Sequence, residues 1–333
     1  MTKKASTLTD VARIAGVSES TVSRALNDSN LVSEKTRKRI KQIAQEMGFK
    51  INTLARNLRT QKSYTIAVVL VVSSEEDQSA SDPFLLSLVG VIADELSKRN
   101  YDLLLSSHPG EALENVPELV NQKKADGVIL FGQGDDIEHF TEVVKPELPA
   151  IVWGQVAPGS GYVTVGTDNY KGGMLATQHL LETGRKSICF AGHLSYETEQ
   201  RYFGYQQALK DAGKQYRHHL DVRFNFSDAY KTTKALLEEG QFHYDAIVAA
   251  SDTIALGMIK ALTEAGKIIP DDVAFVGYDD ISVSAYTTPA LSTIRQDTRK
   301  GGEKLVELLF DRLAGKPGKS HILDTQLIQR SSS

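Results

Sequence analysis

The sequence predicts a small all-α head followed by an α/β body of two lobes, each built on a doubly wound parallel sheet. Three observations lead there. The first 50 residues place apolar side chains at helical spacing between cap signals. From Tyr64 onward, short β-branched apolar runs alternate with amphipathic helical stretches. Ten such runs are many for one open sheet, so two lobes of about five strands each fit better.

The bulk numbers agree with this layout. A chain of 333 residues suggests two or three domains, at roughly 100–200 residues per domain. Apolar residues make up 41%, enough for substantial cores. No stretch approaches the ~18 consecutive apolar residues that a membrane span requires. Met1–Ser6 carries positive charge with no apolar segment after it, so no secretory signal is expected. Cys189 is the only cysteine, which rules out an intrachain disulfide. It sits in the apolar run Ser187–Ala191 and reads as a core residue rather than a nucleophile. These features together predict a cytoplasmic protein.

Charge is divided unevenly. Residues 1–62 carry 13 Lys and Arg against 5 Asp and Glu, a net of +8. The remainder carries 25 against 37, a net of −12. A basic head on an acidic body points to a polyanion partner for the head alone.

In the head, Leu8, Val11, Ala12 and Ala15 predict a first helix, which Gly16 stops. Ser18 then offers an N-cap hydroxyl to a second helix whose buried stripe is Val22 and Leu26. Ser33 caps a third, with Ile40, Ile43, Ala44 and Met47 facing inward and Gly48 ending it. Two helices joined by a short Gly-containing turn form a helix-turn-helix. The polar face of the second helix holds Ser18, Glu19, Ser20, Thr21, Ser23, Arg24 and Asn27. Short hydroxyls and amides suit phosphate contacts, and Arg24 suits a bidentate pair with guanine. Glu19 serves either as an acceptor for a cytosine amino group or as a cap on the helix dipole.

Residues 51–62 follow as a segment of about two helical turns without a broad apolar stripe. A helix this short is marginal alone and should order only when a partner supplies contacts.

In the body, the expected strands are 65–72, 101–106, 126–131, 150–153, 163–165, 187–191, 219–224, 246–250, 273–278 and 292–296. Expected helices include 85–99, 170–183, 201–212 and 254–265. Open α/β sheets bind ligands beyond the carboxyl ends of their strands. The residues there are polar and mixed with aromatics, among them Ser73, Ser106 to His108, Gln133, Trp153, His193, Ser251 with Asp252, and Tyr278 with Asp279. Such a mixture suits a neutral polyol such as a sugar, although Asp252 and Asn169 also read as helix caps.

The head resembles the N-terminus of the lactose/galactose repressor (LacI/GalR) family. Thr9-Asp10-Val11-Ala12, Ala15-Gly16-Val17-Ser18, Thr21-Val22-Ser23-Arg24 and Val32-Ser33-x-x-Thr36-Arg37 carry that likeness. In the body, Asp168-Asn169-x-x-Gly172-Gly173, Arg201-x-x-Gly204-Tyr205, Ser251-Asp252, Val276 to Asp280 and Thr293-Ile294-x-Gln296-Asp297 resemble the family's periplasmic-binding-protein-like effector domain. The resemblance implies a helix-turn-helix domain over residues 1–50, with Thr9 and Ser33 joining the second helix at DNA. It implies a hinge helix over 51–62 that enters the minor groove, with Asn52, Ala55, Leu58 and Arg59 as its contacts. Leu58 would be the apolar wedge there. An effector-binding and dimerisation domain spans 63–333, its N-lobe about 63–162 and 293–320, its C-lobe about 163–292 and 321–333.

By the same resemblance, Arg201 and Asp279 grip the effector, and Pro83, Phe84 and Phe226 stack on it. Ser251 falls where sugar-binding members carry an amide, and Gly154 replaces a polar contact. The implied protein is a homodimeric transcriptional regulator, most simply a repressor, of carbohydrate-utilisation genes. It binds a pseudo-palindromic double-stranded operator under the control of a small sugar, in either direction of coupling. It needs no cofactor and no metal. A transporter's secreted binding protein would share the body but has no use for a basic head. An enzyme is disfavoured, since the sequence holds no phosphate-binding P-loop, no dinucleotide fingerprint after Val72, no His/Cys ligand cluster and no nucleophile elbow.

Overall fold

The computed structural model describes residues 7–26, 29–49, 61–71, 80–107, 111–215 and 217–333, in two compact units that divide between Lys62 and Ser63. The first holds α1 (Leu8–Ala15), α2 (Glu19–Leu26) and α3 (Glu34–Glu46). Thr7 and Asp10 form a capping box that opens α1, and Gly16 closes it in the left-handed region at φ 63°. Val11, Ala12 and Ala15 of α1 meet Val22 and Ala25 of α2 and Ile40 and Ala44 of α3 in one buried cluster. The residues of the expected hinge helix up to 60 lie outside the described residues.

The second unit holds two six-stranded sheets. Along the chain come β1 (Thr65–Leu70), α4 (Pro83–Ser97), β2 (Asp102–Ser107), α5 (Val116–Asn121), β3 (Gly127–Phe131), α6 (Ile137–Val143), β4 (Ala150–Trp153) and β5 (Val163–Thr167). There follow α7 (Asn169–Glu182), β6 (Ile188–Ala191), α8 (Tyr196–Asp211), β7 (His218–Leu220), α9 (Phe226–Glu238), β8 (Ala246–Ala249), α10 (Asp252–Glu264) and β9 (Ala274–Asp279). Last come β10 (Ser292–Arg295), α11 (Thr298–Leu313), β11 (His321–Leu323) and β12 (Gln326–Ile328). The first sheet runs β11-β5-β4-β3-β1-β2 and is parallel throughout. The second runs β12-β10-β9-β8-β6-β7, with β12 antiparallel at its edge.

Strand alternation builds the first lobe's two-sided core. Ile66, Val68 and Leu70 of β1 pack with Leu88 and Ile92 of α4 and Leu305 and Leu309 of α11. Ala67 and Val69 face the other way, toward Val116 of α5 and Phe140 of α6. Each fully buried aliphatic side chain contributes about 1.5–3 kcal/mol. At the edge strand β2, Leu104 and Leu105 are exposed.

The lobe boundaries differ from those expected. Val163–Thr167 was expected to open the second lobe, yet β5 pairs with β4 in the first sheet, Ile151 opposite Val163. The first crossing therefore falls after Thr167. Residues 292–295, whose last three were expected in the first lobe, pair with β9 in the second sheet. The segment 321–323 was assigned to the second lobe, yet β11 pairs with β5 in the first. Only β12 returns to the second. The physical reason is pairing: β11 and β12 are three residues each, and their sheet is set by the edge each one meets, not by their own pattern. The three crossings are tied together. Thr167 Oγ1 donates to Gln296 Oε1 at 2.8 Å, and the Asp168 backbone N–H donates to Thr325 Oγ1 at 3.1 Å.

Candidate nucleic-acid interface and ligand cleft

In the head, the second helix presents Ser18, Glu19, Ser20 and Arg24 to solvent, with Thr21 and Ser23 half-buried. Ser18 performs the expected cap, its Oγ accepting from the Thr21 backbone N–H at 3.3 Å. Ser33 does the same for α3 through Thr36. Thr9 Oγ1 donates to Glu19 Oε1 at 2.6 Å, joining two of the expected DNA contacts across the turn. Asn27, Asn52, Ala55, Leu58 and Arg59 lie outside the described residues.

In the body, a cleft opens at the carboxyl ends of the strands of both sheets. It is partly open to solvent. Phe84, Phe131 and Trp153 supply apolar walls on the first lobe, and Phe224 supplies one on the second. Phe84 tilts against Trp153, with ring centroids 5.7 Å apart.

Arg201 is held inside the cleft from several sides. Its Nε donates to Asn169 Oδ1 at 2.8 Å and its Nη1 to the Ala250 carbonyl at 2.5 Å. The guanidinium lies 3.7 Å over the Tyr278 ring. Two close helix approaches set this position. A Cβ on Gly173 of α7 would strike the Arg201 carbonyl, and one on Gly204 of α8 would strike the Tyr170 carbonyl. Only glycine at both lets α7 and α8 pack this closely.

Asp279 ends β9 with φ at 113°, and Asp280 follows at 57°, both in the left-handed region. Strained non-glycine backbone of this kind persists only where its surroundings over-determine it. Here Arg295 Nε and Arg330 Nη2 clamp the Asp280 carboxylate at 2.7 and 2.5 Å. Gln296 Nε2 donates to Asp279 Oδ1 at 2.7 Å. Burial pushes the Asp279 carboxyl well above its usual range; Arg201 opposes that, while Asp252 and Asp82 add to it. Glu197 also lines the cleft, and its Oε1 is buried without a hydrogen-bond partner among the described residues. Burial raises its carboxyl to about 7, against the pull of Arg201.

Three of the expected effector residues, Phe84, Arg201 and Asp279, come together here. The other three do not line the cleft. Pro83 is the first residue of α4 and points to solvent. Phe226 opens α9 and is 46% exposed, while Phe224, two residues earlier, takes the wall. Ser251 is buried and spends its hydroxyl capping α10 through the Ile254 N–H. Asp252 and Asn169 are not the caps. Ser251 and Asp168 fill those roles, which leaves Asn169 to hold Arg201. Asp252 instead accepts from Thr293 Oγ1, Ser284 Oγ and the Ile281 N–H at 2.5, 2.7 and 2.9 Å. Cys189 is fully buried, and burial drives its thiol far up, consistent with the core reading. No group of three potential metal ligands occurs among the described residues.

A helix-turn-helix head followed by two sheets around a polar, aromatic-walled cleft is the layout of a DNA-binding regulator with a ligand-binding domain, and the comparisons with known proteins place it in that class. Residues 7–52 match the family described as bacterial regulatory proteins, lacI family, and 177–333 match a periplasmic binding protein-like domain. The chain is 32% identical to the HTH-type transcriptional regulator CelR of Thermobifida fusca over 335 residues, 98% of each chain. It is 29% identical to the HTH-type transcriptional repressor PurR of Mannheimia succiniciproducens, again over 98% of each. Among solved structures, a lac repressor dimer bound to operator and the anti-inducer ONPF matches with a TM-score of 0.83 and 25% identity, over 99% of each chain. A CelR–cellobiose complex matches with a TM-score of 0.70 and 29% identity, over 98% of this chain and all of that one. The protein belongs to the LacI family of transcriptional regulators.

Proposed function

We propose that this regulator represses carbohydrate-utilisation genes and answers to a saccharide held between its lobes. One observation carries the reading: the cleft sets aromatic walls, Phe84 and Trp153 among them, around Arg201 and Asp279, which are fixed in place by Asn169 and Gln296. Aromatic faces take up the apolar faces of a sugar ring, and fixed charged groups hold its hydroxyls. The cellobiose in the related CelR structure supports it.

On DNA, a homodimer places two heads on a pseudo-palindrome. Ser18, Ser20, Thr21 and Ser23 contact phosphates, Arg24 reads guanine, and Leu58 wedges the central step. Saccharide binding alters the lobe arrangement and with it hinge ordering, a coupling of typically ~1–3 kcal/mol.

The test is fluorescence anisotropy of an operator selected from random DNA, with and without saturating saccharides. A shift in operator Kd of roughly 5-fold or more is expected for at least one of them. An unchanged Kd with a saccharide demonstrably bound overturns the reading.

A further inference from the structure

The charges around the cleft are unbalanced. Asp135, Glu197 and Asp279 line it, against Arg201 as the one permanent cation among the described lining residues. Arg201 is already committed to Asn169, the Ala250 carbonyl and the Tyr278 ring. The buried Asp82 and Asp252 make ionising Asp279 harder still, so this part of the cleft resists gaining negative charge.

Proteins also bind anions at helix N-termini, where free N–H groups and the helix dipole converge. Three helices begin at this cleft, and the chain's own side chains occupy each start. Asp82 accepts from the Phe84 and Leu85 N–H groups of α4 at 2.9 and 3.2 Å. Asp168 accepts from the Lys171 N–H of α7 at 2.9 Å. At α8, Ser195 and Thr198 form the capping box, with Thr198 Oγ1 accepting from the Ser195 N–H at 2.7 Å, and Glu197 adds an acidic side chain to the first turn. An incoming phosphate or carboxylate finds these positions already filled by the chain's own carboxyl and hydroxyl groups.

Resting on the saccharide reading above, we propose that the cleft admits only an uncharged effector and rejects its phosphorylated or carboxylated counterpart, with Glu197 and Asp135 as specificity-determining residues. A neutral hydroxyl-rich ligand meets carboxyl groups at Asp279 and Glu197 that can hydrogen-bond to its hydroxyls without a net charge, and a donor at Arg201. An anion must shed its water in a cleft whose one arginine is committed and whose helix starts are filled, and it faces Asp135 and the ionised fraction of Glu197, at a cost of about 100-fold in affinity.

The test is calorimetric titration of the full chain with matched pairs: glucose with glucose 6-phosphate and with glucuronate, ribose with ribose 5-phosphate, trehalose with trehalose 6-phosphate, and inosine with inosine monophosphate. Cellobiose is added without a partner. The uncharged member of whichever pair binds should win by about 100-fold. Glu197→Gln should narrow that ratio by about tenfold, and Asp135→Asn, at an exposed position, should narrow it less. A purely structural Glu197 would weaken both members equally and leave the ratio alone, which removes its assignment. A charged member binding as tightly as its parent overturns the charge rule and leaves the saccharide reading standing. Inosine binding while the sugars and inosine monophosphate do not overturns the saccharide reading and upholds the charge rule. Silence from the whole panel counts against both.

Discussion

Gln296 Nε2 lies 2.7 Å from Asp279 Oδ1, while the Oε1 of the same amide accepts from Thr167 Oγ1 at 2.8 Å. One buried side chain thus links a cleft carboxylate to two of the three strands that cross between the lobes. Removing it frees Asp279 to rotate and leaves the Thr167 hydroxyl buried without this partner. Gln296→Ala should cost about 1–3 kcal/mol of stability and weaken saccharide binding about tenfold or more. Urea unfolding and titration calorimetry measure the two losses. A stable variant with unchanged affinity would show that the link positions nothing.

The close contact of α7 and α8 has a separate consequence. Gly204→Ala places a methyl group against the Tyr170 carbonyl and forces apart the helices that hold Arg201 and Asn169. Overpacking of this kind costs about 1–3 kcal/mol. Saccharide affinity should fall with it, because the guanidinium moves with its helix. Conservative change at the exposed Glu199 on the same helix should do neither.

Asp252 accepts three hydrogen bonds in a fully buried setting. Asp252→Ala leaves all three donors without that acceptor and should cost about 3 kcal/mol or more. Chemical denaturation reads this directly. A loss under about 1 kcal/mol would mean that the network relaxes around the gap.

Stability should also depend on pH in a definite direction. Glu197 and Asp252 titrate at about 7 in the folded chain, raised from 4.5 and 3.8 chiefly by burial. The folded state therefore holds these protons more tightly than the unfolded one. Their contribution is complete below pH about 4 and is lost as pH rises to about 7. The protein should melt at higher temperature at pH 5 than at pH 8, and Glu197→Gln should flatten that slope. A slope unaltered in the variant would place the Glu197 titration elsewhere.

The sequence made much of this visible, and the gaps have physical causes. The three head helices were legible because Gly16, Ser18 and Ser33 punctuate them. The long buried strands were legible as apolar runs. The lobe crossings were not, since β11 and β12 are too short to carry periodicity and take their sheet from their neighbours. Glu197 was missed because α8 was read from Arg201, whereas it begins at Tyr196. Ser195 followed by the acidic turn Glu197–Glu199 was the available signal for that earlier start. Phe226 was preferred to Phe224 because the resemblance aligns one aromatic, while the turn before α9 directs the other into the cleft. The Asp279–Gln296 link joins residues far apart in sequence, and only the folded sheet edge brings them together.

Reciprocal coupling tests the central claim most directly. Saccharide affinity of the full chain should be measured free and on operator DNA, alongside operator affinity with and without saccharide. A two-site allosteric regulator must show the same factor in both directions, roughly 5–150-fold. Arg201→Ala, which loses the saccharide, should abolish the effect while leaving unliganded operator affinity unchanged. A saccharide that binds with the same affinity in the presence and absence of operator would contradict the account.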